Sequence, residues 1–229
     1  MYWTAWHSLT LDERSRLEEL VKVFIADKRW EAARGFRLTD EMRVLIAAQA
    51  CLLVLELDAD YYRGVGSIIV HPSTVVLTEP RATDTSGILA GGPFPVQGQA
   101  QYGGPVVIAW DVARHEARNP ELGNNVVFHE FAHKLDMLDG TVDGMPPLPN
   151  EVRRQRWIDV FTREYTSLKA ETAGPLIRDY GAVNPGEFFA VATEIFFCKP
   201  VEMHDEKPDL YAELANFYGQ DPAARVRAG

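Results

Sequence analysis

Cysteine is scarce in this chain: Cys51 and Cys198 are the only two in 229 residues. Two thiols build no disulfide framework. Each lies in an apolar stretch of helical character, so buried free thiols in a reducing, cytoplasmic setting are expected. Positive charge is also short. Lys and Arg number 23 against 33 Asp and Glu, giving a net charge of −10 and a pI of about 5.1. That balance lacks the basic face needed for direct contact with nucleic acid or anionic lipid. The longest apolar run, Val44 to Leu55, is interrupted by Gln49 and falls short of the ~20 residues of a membrane span. The opening Met1-Tyr2-Trp3-Thr4-Ala5-Trp6 has neither a basic nor a long apolar region, so no secretory leader is expected. Internal repeats and low-complexity segments are missing. The glycines of Gly91-Gly92-Pro93 have neither dinucleotide-binding nor P-loop spacing; they read as a turn that lines a cleft.

What is present is an apolar share of 46%, ample for a core. Thr10-Leu11-Asp12-Glu13 is a capping box, and Leu17, Leu20, Val21 and Phe24 follow at helical spacing. A second helix starts near Thr39-Asp40 and runs to about Leu55. It is apolar nearly all round and therefore central. Short β-branched runs then appear at Ile68 to Val70, Val75 to Leu77 and, after a Gly/Pro-rich loop (Gly87 to Pro95), Val106 to Trp110. These predict a small sheet. Asn150 caps a polar helix through about Ala170, with Trp157, Val160, Phe161 and Tyr165 inward. Asn184-Pro185 opens another, with Asn at the cap and Pro at the first position. A last helix begins near Pro208 and ends before Gly219. Helices dominate beside one small sheet, so the class is α+β.

The chemistry sits in His129-Glu130-Phe131-Ala132-His133. In a helix, residues four apart share a face, so two imidazoles converge on one metal ion. Glu130 then reaches a metal-activated water without being a ligand, which predicts a hydrolase. Val126, Val127, Phe128, Phe131, Ala132 and Leu135 surround the polar trio. A helix so apolar seldom buries two His and a Glu without partners. The chain thus reads as one domain, 1–229, with a helical part at about 8–56, the sheet at about 61–113 and metal-site helices at about 124–199. Asp139-Gly140 and Asp143-Gly144 lack the twelve-residue calcium pattern and read as turns.

A catalytic zinc usually takes a third protein ligand. A third His six residues after His133 is excluded, because Asp139 stands there. A Glu from a later helix remains. Glu187 and Glu194 lie seven apart on the Asn184 helix, along roughly the same face. Glu187 also fits a capping box with Asn184, whereas Glu194 is mid-helix among Phe and Ile, where an unpaired carboxylate is expensive. Burial alone leans slightly to Glu194.

The stretch Tyr180-Gly181-Ala182-Val183-Asn184-Pro185-Gly186-Glu187-Phe188-Phe189-Ala190, with the His129–His133 motif through Asp136, resembles the Mlc titration factor A family of zinc peptidases. Leu38 to Arg43 and Tyr62-Arg63-Gly64 extend the likeness over most of the chain. The catalytic domain of anthrax lethal factor is distantly similar through a Tyr-x6-Glu-Phe-Phe-Ala element. The resemblance implies a zincin-like fold, one zinc per chain, Glu187 as the third ligand and Tyr180 as an active-site tyrosine. It implies aminopeptidase-like cleavage of small peptide substrates. It also implies binding of an Mlc-type transcription repressor, and through it a role in sugar uptake; a protein that sequesters the repressor without catalysis is the alternative. In that scheme Glu130 is the general base and Tyr180 donates to the developing oxyanion. Asp136 and Glu194 are candidates to accept from the ligand imidazoles' free N–H groups. Ligand type alone does not fix zinc over another metal. The run from Val106 to Trp110 is the candidate edge strand for a bound peptide.

Overall fold

The computed structural model describes residues 3–33, 35–57, 59–73, 75–76, 95–96, 98–100, 104–172 and 174–228. Among them, helix α1 (Thr4–Ser8) leads into α2 (Leu11–Asp27). The Thr10 capping box forms as expected: the Glu13 N–H donates to Thr10 Oγ1 at 3.2 Å and the Thr10 N–H to Glu13 Oε2 at 2.8 Å. Leu17, Val21 and Phe24 turn inward. Helix α3 (Asp40–Leu53) is buried without a break from Leu45 to Leu53, as its all-round apolar sequence requires.

Among the described residues the strands are β1 (Arg29–Ala32), β2 (Ser67–His71), β3 (Val75–Val76), β4 (Pro95–Val96), β5 (Gly98–Ala100) and β6 (Val106–Ala109). Four of them form a sheet in the order β1-β2-β6-β5, and β3 pairs separately with β4. The β1–β2 and β2–β6 pairs are parallel, with Trp30 beside Ile68 and Val70 beside Ile108. β5 runs antiparallel to β6, with Gln99 opposite Val107. This corrects the edge-strand expectation. β6 is hydrogen-bonded on both sides, so Val106 to Ala109 offers no free edge, and Trp110 begins helix α4 (Trp110–Glu116). The covering strand, Gly98-Gln99-Ala100, carries no β-branched signal. The glycine-rich turn at Gly91-Gly92-Pro93 and Leu77 fall outside the described residues.

The second half is helical: α5 (Val126–Asp136), α6 (Glu151–Lys169), α7 (Pro185–Cys198), α8 (Pro200–Glu206), α9 (Pro208–Tyr218) and α10 (Pro222–Ala228). The molecule is α+β and mainly helical, as its sequence pattern predicts. Helix α5 touches α3, α7, β5 and β6, which is why all eleven of its residues are buried. Aromatic packing ties α6 to α7: Trp157 stacks on Phe161 with centroids 3.9 Å apart, and both rings meet Phe189. No described helix is long and apolar enough to cross a membrane. Cys51 and Cys198 are free thiols, the first buried and the second partly so.

Candidate metal centre

Two helices carry the site, and each has a well-defined start. Asn125 caps α5: its Oδ1 accepts from the Phe128 N–H at 3.0 Å. Two carboxylates meet the other early amides. Glu194 Oε2 accepts from Asn125 N and Glu116 Oε2 from Val126 N, both at 2.6 Å. Negative charge is favoured there by the unpaired N–H groups and the helix dipole. Asn184 caps α7 through the Glu187 N–H at 2.9 Å, with Pro185 at the first position. The Glu187 carboxylate does not close a capping box; it turns to the imidazoles of α5.

Three ligand atoms converge. His129 Nε2 and His133 Nε2 are 3.2 Å apart. Glu187 Oε2 lies 3.0 Å from the first and 3.4 Å from the second. A tetrahedral zinc with ligand bonds of ~2.0–2.1 Å has ligand–ligand edges of about 3.3–3.4 Å. The chemistry of the set fits as well. Glu187 Oε2 is buried with no hydrogen-bond partner beyond the two imidazole nitrogens, and a buried carboxylate oxygen is expensive unless a cation meets it. His129, His133 and Glu187 can therefore hold a metal ion.

Glu194 takes a different position from the one burial alone favours. It is 1% exposed, yet its Oε1 lies 2.7 Å from His129 Nδ1, on the ring edge away from the convergence point. Glu187 and Glu194 share a helix face, but seven residues separate them by about 10 Å along the axis. One therefore meets the imidazole tips and the other sits behind them. Asp136 is fully buried rather than solvated. Its Oδ2 accepts from the Gly144 N–H at 3.1 Å. His133 Nδ1 has no hydrogen-bond partner, so Asp136 does not bond that ring. Gly144 has φ +78°, and a Cβ there would meet the Pro185 carbonyl oxygen at 2.3 Å. Only glycine lets this loop approach the start of α7.

Charges in the site are strongly displaced. Burial alone would lower the His129 pKa, but the carboxylates of Glu187 and Glu194 on either side of the ring outweigh it and raise it to about 10. A proton and a metal compete for the same nitrogen. Burial acts to raise Glu187, and the two imidazoles more than reverse it, holding this carboxyl well below its usual range. Burial raises Glu130 to about 7, against the pull of both histidines. One of its oxygens, Oε2, is buried without a hydrogen-bond partner. Burial likewise raises Asp136 to about 6. Tyr180 lies in a 3-10 turn (Asp179–Ala182), half exposed, with its ring centroid 5.8 Å from that of His129. Burial, then the charges of Glu187 and Glu130, raise its phenol above the ordinary value.

Behind the convergence point lies a paired polar layer that the motif did not reveal. Arg178 Nη2 donates to Glu194 Oε1 at 2.5 Å, and Nη1 to Glu194 Oε2 at 3.1 Å and Asn124 Oδ1 at 3.0 Å. Asn125 Nδ2 donates to Gln49 Oε1 at 2.7 Å. Burial raises Glu194 and would protonate it, but His129 and then Arg178 reverse the shift and keep it charged. A mid-helix acid among Phe and Ile signals that some cation must face it; the sequence does not say which.

Comparison with known proteins points to a family of metallo-peptidases. The family model "Glucose-regulated metallo-peptidase M90" matches residues 2–219. An uncharacterized protein of Synechocystis is 36% identical over 219 residues, covering 93% of this chain and 79% of its own length. Proteins named Mlc titration factor A are 33% identical in Escherichia fergusonii, over 96% of this chain and 84% of theirs, and 34% identical in Edwardsiella ictaluri, over 94% and 83%. The chain belongs to the glucose-regulated metallo-peptidase M90 family.

Proposed function

We propose that the protein is a zinc-dependent peptidase of aminopeptidase type, with His129, His133 and Glu187 as the metal ligands and Glu130 as the general base. The observation that carries this reading is Glu130. A metal site that only staples a fold has no use for a second carboxylate beside its ligands. Here that carboxylate is buried and its Oε2 is left without a partner, as a base waiting for a water proton would be. Zinc, when bound, supplies Lewis-acid polarisation of water and of the scissile carbonyl. Glu130 takes the proton of the attacking water and delivers it to the leaving amine. Tyr180, half exposed beside the His129 ring, donates its phenolic O–H to the oxyanion that develops at the carbonyl. Glu194 fixes the His129 Nδ1–H and leaves Nε2 as the lone pair for the metal. The chain acts as one domain in the cytoplasm on peptide substrates.

A second reading is supported by the relatives named Mlc titration factor A. In it the protein binds a transcription repressor of the Mlc type, regulates sugar uptake through that contact, and needs no catalysis. Wild type and Glu130→Gln, assayed on chromogenic aminoacyl and peptide substrates, separate the two. The peptidase reading expects both proteins to hold one zinc, with kcat about 10²–10⁴-fold lower in the variant. Full zinc in both with no cleavage by either transfers the case to the repressor-binding reading.

A further inference from the structure

Glu194 is buried, reaches one imidazole, and is itself held by a residue from outside both metal-site helices. Arg178 precedes the 3-10 turn that carries Tyr180. Its guanidinium bridges both oxygens of Glu194, at 2.5 and 3.1 Å, and reaches Asn124 Oδ1 at 3.0 Å. The same Glu194 Oε1 that takes Arg178 Nη2 lies 2.7 Å from His129 Nδ1. The guanidinium carbon is 5.9 Å from the Tyr180 ring centroid, and that ring is 5.8 Å from the His129 ring. One side chain thus touches three parts of the site: the helix bearing Glu187 through Glu194, the lead-in to the His129 helix through Asn124, and the tyrosine turn.

We propose that Arg178 is the positioning residue of the metal centre: it locks Glu194 against His129 and sets the Tyr180 ring beside the same imidazole. This rests on the reading of His129, His133 and Glu187 as metal ligands. The geometry argues for it in two ways. A bidentate Arg–carboxylate pair fixes the plane of the carboxylate as well as its position, which an ammonium cannot do. A carboxylate fixed in plane then fixes the ring it binds, and outer contacts of this kind change metal affinity by about 10–100-fold. The Arg178 side chain is about one-third exposed, and among the described residues its guanidinium hydrogen-bonds to Glu194 and Asn124.

The test uses the full chain as wild type, Arg178→Met and Arg178→Lys. Zinc affinity is measured by competition with a chromophoric chelator, alongside thermal unfolding of the metal-free proteins. The proposal expects Arg178→Met to bind zinc about 10–100-fold more weakly; the metal-free protein should also unfold at lower temperature, because the buried Glu194 carboxylate loses a cation, and Arg178→Lys, which keeps the charge, is the control for that loss. It expects Arg178→Lys to recover only part of the loss, because one ammonium cannot bridge both oxygens in parallel. On a substrate that wild type cleaves, saturating zinc should leave kcat reduced with KM little changed, since the Tyr180 ring has lost its support. Wild-type zinc affinity in both variants overturns the proposal. So does a loss in Arg178→Met that Arg178→Lys restores in full, because charge alone would then suffice. Should Arg178→Met not fold, Arg178→Lys decides: weaker zinc binding supports the lock, unchanged binding rejects it. A wild type that binds no zinc defeats the site reading and the inference together, whereas one that binds zinc but cleaves nothing still leaves the affinity comparison to judge Arg178.

Discussion

The two edges of the His129 ring face opposite conditions. On the Nε2 edge, His129 Nε2, His133 Nε2 and Glu187 Oε2 crowd within 3.0–3.4 Å of one another, and Glu130 Oε2 beside them is buried and unpartnered. On the Nδ1 edge, Glu194, Arg178, Asn124, Asn125 and Gln49 are linked in one layer, and none of their side-chain atoms is among the buried unpartnered ones. Buried polar groups are ordinarily satisfied, so an exception asks for an explanation. Here the unsatisfied edge is where a cation and a substrate would be met, and the satisfied edge is what holds the first in shape. The contrast shows which edge of this ring is free for a cation: Nε2 faces the converging ligand atoms, whereas Nδ1 is already held by Glu194.

Breaking the open edge should have the largest effects. Tyr180→Phe removes a donor without disturbing the ligands, so kcat is expected to fall by about 10²-fold or more, with zinc content unchanged by metal analysis. A variant with full kcat would remove Tyr180 from the chemistry. Breaking the closed edge should act through the metal. Glu194→Gln keeps the shape but donates where it should accept, and zinc affinity is expected to drop by about 10–100-fold. Chelator competition checks this; a wild-type constant would mean that His129 orients itself.

The smallest effect is a pH dependence of stability. Glu116 accepts from Val126 N at the start of α5, and burial raises its pKa to about 7. Its folded pKa lies above the ordinary value of 4.5, so the folded state holds this proton longer than the unfolded chain. Its contribution is fully present below about 4.5 and is lost as pH rises through about 7. Denaturation of the metal-free protein should show stability falling over that window, and Glu116→Gln should flatten the fall by on the order of 1–2 kcal/mol. An unchanged slope in the variant would assign the dependence to other groups.

Much of this arrangement was legible in local pattern. The i,i+4 histidines and the caps at Thr10, Asn150 and Asn184 are short-range signals, and each forms as the residues dictate. Long-range partners were not legible. Glu187 and Glu194 have the same helical phase, so periodicity could not separate them; their height along α7 relative to α5 does. Only the resemblance to a peptidase family singled out Glu187. Arg178 sits in an irregular lead-in with no periodic signal, and its partner is 16 residues away. In the fold, β1 is short and charged, with Arg29 and Glu31 among its four residues. Gly98-Gln99-Ala100 lacks strand-forming types, so β5 gives no local signal and β6 reads as an edge. Trp110 ended an apolar run and concealed the start of α4. Helices α1, α8 and α10, of five to seven residues, are too short to display a period.

The central claim is that His129, His133 and Glu187 together hold one divalent metal. It is tested most directly by the zinc content of wild type, Glu187→Gln and Glu194→Gln after zinc loading and exhaustive dialysis against a weak chelator. The account predicts one zinc per wild-type chain, near-complete loss from Glu187→Gln and partial loss from Glu194→Gln. Zinc retained fully by Glu187→Gln but lost by Glu194→Gln, or no zinc in wild type, would contradict it.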